Sequence, residues 1–147
     1  MFHKLTHTNN DRLLAMQRIL LGLVFFPHGA QKMLGWFGGY GFSGTMNFFT
    51  QQLHIPYIFG LLAILAEFLG SFGLISGFLS RIAAFGIACN MVVAILVEHL
   101  PFGFFMNWTG AQKGEGYEYH LLALALLIPV IIRGAGAFSI DRAVSAK

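Results

Sequence analysis

The sequence predicts an all-α integral membrane protein, a four-helix bundle with both termini cytoplasmic and two aromatic outer loops. Hydrophobic residues make up 56% of the 147-residue chain and charged residues only 10%, whereas soluble domains carry about 25% charged residues. Four windows of about 20 apolar residues have the length that a helix needs to cross a hydrocarbon core of ~30 Å. These windows are 13–34, 57–79, 82–105 and 118–138. A chain of this length predicts one domain over residues 1–147.

The first window follows His3, Lys4 and Arg12, as the apolar region of a secretory signal follows its basic residues. No A-x-A-like cleavage site comes after it, and three further windows follow. We therefore expect an uncleaved first helix over 13–34.

The third window contains Cys89, the single cysteine of the chain. One cysteine forms neither an internal disulfide nor a CxxC pair, which argues against thiol–disulfide relay chemistry.

The basic residues predict the orientation of the four windows. Excess Lys and Arg mark the cytoplasmic side of a membrane protein, so we expect both termini and the short turn at 80–81 inside. The loops 35–56 and 106–117 are then outside. The basic residues on the inner side are Lys4, Arg12, Arg81, Arg142 and Lys147, against Lys32 and Lys113 outside. Because they are scattered along the chain, they do not predict nucleic-acid binding.

Both outer loops are rich in aromatic residues, which favour the headgroup level of a bilayer. Within the first loop, Met46, Phe49 and Leu53 recur at helical spacing. The stretch 43–53 is therefore either a short helix on the membrane surface or an ordered capping loop.

Glu67 stands alone in the apolar run LAILAEFLGSFGL of the second window. A charged residue at a helix centre costs about 2.5–3.5 kcal/mol on insertion scales, so it faces the bundle interior and pairs. Counting residues along the windows places Arg18 and Asn90 at a similar height, and we expect Arg18 to be the partner of Glu67. Two roles stay open, a structural ion pair and a protonatable group in a quinone or proton path.

Further polar residues gather at the outer ends of the windows and predict a pocket that opens outward under the two loops. His28 and Lys32 share a helix face because they are four residues apart. Other members of this outer cluster are Glu98, His99, Asn107, Lys113, Glu115, Glu118 and His120. The competing interpretation is that these residues simply lie at the water interface.

A metal or haem is a second interpretation of the outer cluster. His28, His99, His120 and Glu98 offer imidazole and carboxylate ligands that suit zinc, copper or iron. No H-x-x-x-H or E-x-x-H spacing supports such a site, and no phosphate-binding glycine loop is present.

Several motifs in order resemble the DoxX family of small bacterial four-helix membrane proteins. They are Arg18 early in the first window, PHGAQKMLG with Lys32, LAEFLGS around Glu67, GFLSRIAA around Arg81, and GAGAFSIDR at 134–142. The resemblance extends over about 12–143, and MNWTGAQKGEGYEYHLLAL is similar to a subgroup signature. It implies a multi-pass protein of the bacterial plasma (inner) membrane and a redox setting, because relatives include the membrane part of thiosulfate:quinone oxidoreductase. It implies no covalent cofactor.

Together these features predict a quinone-interacting membrane subunit of an oxidoreductase system linked to sulfur compounds or oxidative stress. Glu67, His28 and His99 are the expected proton-exchanging residues. Residues expected to bind the quinone are Arg18, Lys32, Asn107, Glu118 and His120. The alternatives are a non-catalytic scaffold for a redox partner and a small oligomeric transporter. Expected partners are the bilayer, a soluble redox protein or second membrane subunit, and a further copy of the chain.

Overall fold

The computed structural model describes residues 2–145, which form helices and turns and contain no β-strand. The all-α class is thus confirmed. The helices are α1 (Phe2–Thr6), α2 (Arg12–Leu34), α3 (Gly41–Asn47), α4 (Tyr57–Ser76), α5 (Ser80–Ala94), α6 (Glu118–Arg133) and α7 (Ile140–Ser145). A π-helical turn, Phe48–Gln52, extends α3, and the turns Ile95–His99 and Leu100–Phe102 extend α5.

Three helical stretches are long and apolar enough to cross a membrane, namely Arg12–Leu34, Tyr57–Ser76 and Ser80–Phe102. At ~1.5 Å per residue they measure about 30–35 Å, which matches a hydrocarbon core of ~30 Å. The fourth predicted window corresponds to α6, which has 16 residues.

Three predicted windows, 57–79, 82–105 and 118–138, extend too far at their C-terminal ends. Helix α4 ends at Ser76 because Gly77 adopts a left-handed conformation (φ 71°) and donates its N–H to the carbonyl of Gly73. The extension of α5 ends at Phe102, before Gly103, and helix α6 ends at Arg133, before Gly134. The apolar composition continues past all three glycines, so hydropathy alone missed these ends.

The stretch 43–53 lies mostly in α3 and its π-helical turn, which confirms the helical alternative. Met46 is buried, and Phe49 and Leu53 face a cavity described below. This helix therefore covers the interior of the molecule with its apolar side.

The four longest helices pack so that α2 contacts α4 and α6, while α5 contacts α4 and α6 on the other side. Their inward faces form one core. Its members are Leu14, Leu21, Phe25, Leu74, Ala83, Ala84, Ile87, Met91, Ala123, Leu127 and Val130.

Helices α2 and α4 approach each other closely at two glycines of α2. A Cβ atom at Gly22 would lie 2.7 Å from Cγ1 of Ile75, and one at Gly29 would lie 2.6 Å from Cα of Phe68. Small residues permit such backbone contact between membrane helices. The contact at Gly29 brings the following turn of α2, which carries Lys32, over Glu67.

The turn between α4 and α5 marks one end of the molecule, which we name the turn end. The buried guanidinium of Arg18 lies there, and within residues 2–145 it donates hydrogen bonds to backbone carbonyls. Its acceptors are Leu74, Ile75 (2.9 Å), Ala135 (2.8 Å), Ala137 (3.4 Å) and Phe138 (3.2 Å). Arg18 therefore joins the end of α4 to the segment that follows α6.

The expected pairing of Arg18 with Glu67 is wrong. Arg18 and Lys32 are 14 residues apart on α2, about 21 Å at 1.5 Å per residue, and it is Lys32 that reaches Glu67. The helices are displaced lengthwise relative to one another. Heights counted from the window ends therefore do not identify which residues face each other.

Asp141 is buried at the turn end. Its two carboxylate oxygens accept hydrogen bonds from the N–H groups of Leu79 (2.7 Å) and Ser80 (2.9 Å). The N–H groups at the start of a helix have no acceptor within the helix. Asp141 supplies one and so caps α5, although it lies 61 residues from Ser80 in sequence.

We predict that Arg18→Met lowers the free energy of unfolding by about 3 kcal/mol or more, because it leaves several buried carbonyls without a donor. Thermal unfolding of the purified protein in detergent measures this effect. Arg12→Met is the matched control, since Arg12 is exposed at the start of the same helix. An Arg18→Met protein as stable as the Arg12→Met protein would contradict the structural role.

Candidate functional site

A cavity of about 950 Å³ lies between the helices, away from the turn end. We name the opposite end of the molecule the loop end, because the loops 35–56 and 103–117 lie there. Both loops contribute to the cavity wall. Their contributions are Phe48, Phe49, Leu53, Ile55, Met106 and Glu115.

Most of the cavity wall is apolar, and polar side chains are confined to part of it. Helices α2 and α4 contribute His28, Lys32 and Glu67. The opposite wall, from α5, its extension and α6, contributes Asn90, Glu98, His99, Tyr119 and His120. An apolar pocket with a few placed polar groups is the usual form of a small-molecule site.

An ion pair joins Lys32 to Glu67 on the first wall. Lys32 Nζ lies 2.5 Å from Glu67 Oε2, and the side chains are 29% and 7% exposed. The pair explains why a carboxylate is tolerated in the apolar run of α4, because each charge compensates the other where water is scarce. Lys32 also lines a smaller cavity of about 260 Å³, formed with Gln31, Gly38, Gly39, Tyr40, Thr45, Phe48 and Phe49.

Four rings form a row across the cavity from α2 to the extension of α5. Ring centroids are 6.3 Å apart for His28 and Tyr119, 5.5 Å for Tyr119 and His120, and 4.1 Å for His120 and His99. The row begins one helical turn from Lys32 and ends beside the second loop. It brings together groups from α2, α6 and the extension of α5.

His99 is oriented by the second loop. Its Nδ1 lies 2.8 Å from the carbonyl oxygen of Glu115. A carbonyl only accepts hydrogen bonds, so Nδ1 carries the proton and Nε2 is left for another partner.

Two buried polar atoms in the same row have no hydrogen-bond partner among the described residues. They are Tyr119 Oη and His120 Nδ1. His120 is only 7% exposed, and a buried polar atom without a partner costs about 1–3 kcal/mol. Both residues line the cavity, so polar groups of a bound molecule are candidate partners for these atoms.

Asn90 lines the cavity nearer the turn end. Its Nδ2 donates a 2.7 Å hydrogen bond to the carbonyl of Ala63 and so ties α5 to α4. Asn90 therefore holds α5 against α4 at the edge of the cavity.

Three predicted site residues lie outside the cavity. Arg18 is at the turn end, as described above. Asn107 closes its own loop, pairing its side-chain amide with the backbone of Gln112 at 3.0 Å in both directions. Glu118 opens α6 without reaching the cavity wall.

The arrangement of side chains in residues 2–145 does not support a metal site. No group of three or more His, Cys, Asp or Glu side chains there is placed to hold one ion. His99 and His120 are stacked against each other, and His28 is separated from them by Tyr119.

Sequence reasoning missed Tyr119, which lies between two residues that it did select. Its signal is weak, because Tyr is also common at membrane interfaces. It also missed the Lys32–Glu67 pair, although both residues were candidates.

The model of the DoxX family matches residues 13–100, more than half of the chain. This chain belongs to the DoxX family. The matched part of this DoxX protein includes Lys32, Glu67 and His99 but ends before Tyr119 and His120. Half of the ring row thus lies outside the region that the family model covers.

A relative of this DoxX protein is the inner membrane protein YqjF of Escherichia coli K12. The two are 29% identical over 130 residues, which cover 88% of this chain and 90% of the relative. No solved structure matches the chain. Family, relative and apolar helices together identify a multi-pass protein of the bacterial inner membrane.

Proposed function

We propose that this DoxX protein is the quinone-binding membrane subunit of an oxidoreductase system. The observation that carries the proposal is the mostly apolar cavity between the helices, whose polar groups include one ion pair and one row of rings. A benzoquinone head is flat, apolar on its faces and polar at two carbonyl oxygens, which suits such a wall.

The unpartnered atoms of Tyr119 and His120 fit a quinone head. The phenol O–H donates to a carbonyl oxygen, and His120 Nδ1 does so when it carries the proton. On reduction a quinone takes up two electrons and two protons to give a quinol. In this proposal the electrons come from a partner protein that oxidises a reduced sulfur compound.

The proton-exchanging residues are His99 and His28, at the two ends of the ring row. His99 Nδ1 is held by the Glu115 carbonyl, so His99 Nε2 is the atom that gains or loses a proton. Lys32 and Glu67 balance charge on the facing wall. Since Lys32 lines both cavities, it also connects this wall with the loop end.

The quinone proposal predicts about one quinone per protein after gentle detergent purification, measured by solvent extraction and mass spectrometry. His120→Ala and Tyr119→Phe each remove a polar partner, so quinone content falls about tenfold or more in His120→Ala and less in Tyr119→Phe. His3→Ala, an exposed residue of α1, is the control and keeps its quinone.

A folded wild-type protein without quinone, or a His120→Ala variant that keeps it, would contradict the proposal. The first result would favour a membrane scaffold for a redox partner, and the partner would then be sought by cross-linking.

We also propose that α6 crosses the membrane and completes a four-helix bundle with both termini cytoplasmic. Its outward side chains are apolar, among them Leu122 (64% exposed) and Ile132 (67% exposed), as a lipid-facing surface requires. Arg12, Arg81 and Arg133 lie at the turn end, and an excess of basic residues favours the cytoplasm.

This topology predicts that green fluorescent protein fused to the C-terminus fluoresces in bacterial cells, while alkaline phosphatase fused there is inactive. A phosphatase inserted at Gly110, in the second loop, serves as the opposite control and is active. The reverse pattern would contradict the proposed orientation.

A further inference from the structure

Helices α4 and α5 each contribute a stripe of side chains to the cavity wall. The stripe on α4 contains Phe59, Leu62, Ala63 and Ala66, and the stripe on α5 contains Gly86, Cys89, Asn90 and Val93. These positions recur at intervals of three and four residues, so each set forms one stripe on its helix.

Several residues of these stripes have largely exposed side chains although they line the cavity. The exposed fractions are 60% for Phe59, 52% for Leu62 and 45% for Val93. Val97, on the extension of α5, also lines the cavity and is 43% exposed. We name these four side chains the rim.

Nearer the turn end, the same two helices are in close contact. A Cβ atom at Gly70 would lie 3.2 Å from Cδ1 of Ile87, and one at Gly86 would lie 3.2 Å from Cβ of Ala66. The hydrogen bond from Asn90 to Ala63 follows. Continuing this antiparallel register toward the loop end brings Val93 opposite Phe59, and both residues belong to the rim.

The rim is apolar and belongs to two helical stretches that are long and apolar enough to cross a membrane, so it lies within reach of lipid chains. We infer that α4 and α5 part at the rim and leave a gap, a lateral portal that holds the isoprenoid tail of a quinone while the head lies against the ring row. This inference rests on the proposed function and adds the route of entry and the tail-bearing nature of the ligand.

The physical role of such a portal is geometric. Lipid chains are as apolar as the rim, so a tail gains little free energy by moving from the bilayer into the gap. A head that carries a long tail nevertheless reaches the cavity only if the tail has a way out. Closing the gap should therefore exclude tailed quinones and spare the free head.

Val93→Trp narrows the portal, and Val92→Trp is its matched control. Both valines are 45% exposed on α5, but only Val93 lines the cavity. The probes are ubiquinone with a long isoprenoid tail and its tail-less head, 2,3-dimethoxy-5-methyl-1,4-benzoquinone. Binding is measured by equilibrium gel filtration in detergent, with mass spectrometry of the bound fraction.

The portal predicts that Val93→Trp weakens binding of the tailed quinone about tenfold or more, while binding of the tail-less head changes less than about twofold. Val92→Trp binds both probes like the wild type. Equal binding of the tailed quinone by both variants would overturn the portal. Equal loss of both probes in Val93→Trp would also overturn it, because residue 93 would then contact the head.

Failure of the wild type to bind either probe is a different result. It would contradict the proposed quinone function itself, and the portal inference would fall with it.

Discussion

The ion pair between Lys32 and Glu67 is the interaction on which the site depends. A lone charge near the centre of a membrane helix costs about 2.5–3.5 kcal/mol on insertion scales, and here two charges from different helices share one contact of 2.5 Å. The pair fixes α2 against α4 beside the cavity and places His28 at one end of the ring row. It also makes the wall polar without leaving a net charge.

Helix packing brings this pair together. Gly29 lets α2 lie against the backbone of Glu67 and Phe68, and Lys32 follows one turn later. At the turn end, Arg18 and Asp141 hold the chain by bonds to backbone groups. The loop end instead encloses the cavity, where Tyr119 Oη and His120 Nδ1 have no hydrogen-bond partner among the described residues. The turn end therefore contributes mainly to stability, and the proposed binding site lies at the loop end.

Much of the fold followed from composition and apolar windows, because a hydrocarbon core imposes length and polarity on every crossing helix. The family was also recognisable, since its motifs recur in order along the chain. The partner of Glu67 could not be predicted, because counting residues from window ends ignores how far the helices are displaced lengthwise relative to one another. The burial of Asp141 could not be predicted either, because its partners are N–H groups about 60 residues away in sequence. The ring row could not be predicted because it forms only where α2, α6 and the extension of α5 pack together, and no local sequence pattern indicates that packing.

A double-mutant cycle on Lys32 and Glu67 tests the central claim most directly. Unfolding in detergent is measured for the wild type, Lys32→Met, Glu67→Gln and the double variant, with Lys113→Met as a loop control. Each single change leaves one charge without its partner and is expected to cost about 3–5 kcal/mol, while the double variant loses clearly less than the sum. Costs that add within about 0.5 kcal/mol would contradict the pair and with it the helix register on which the cavity depends.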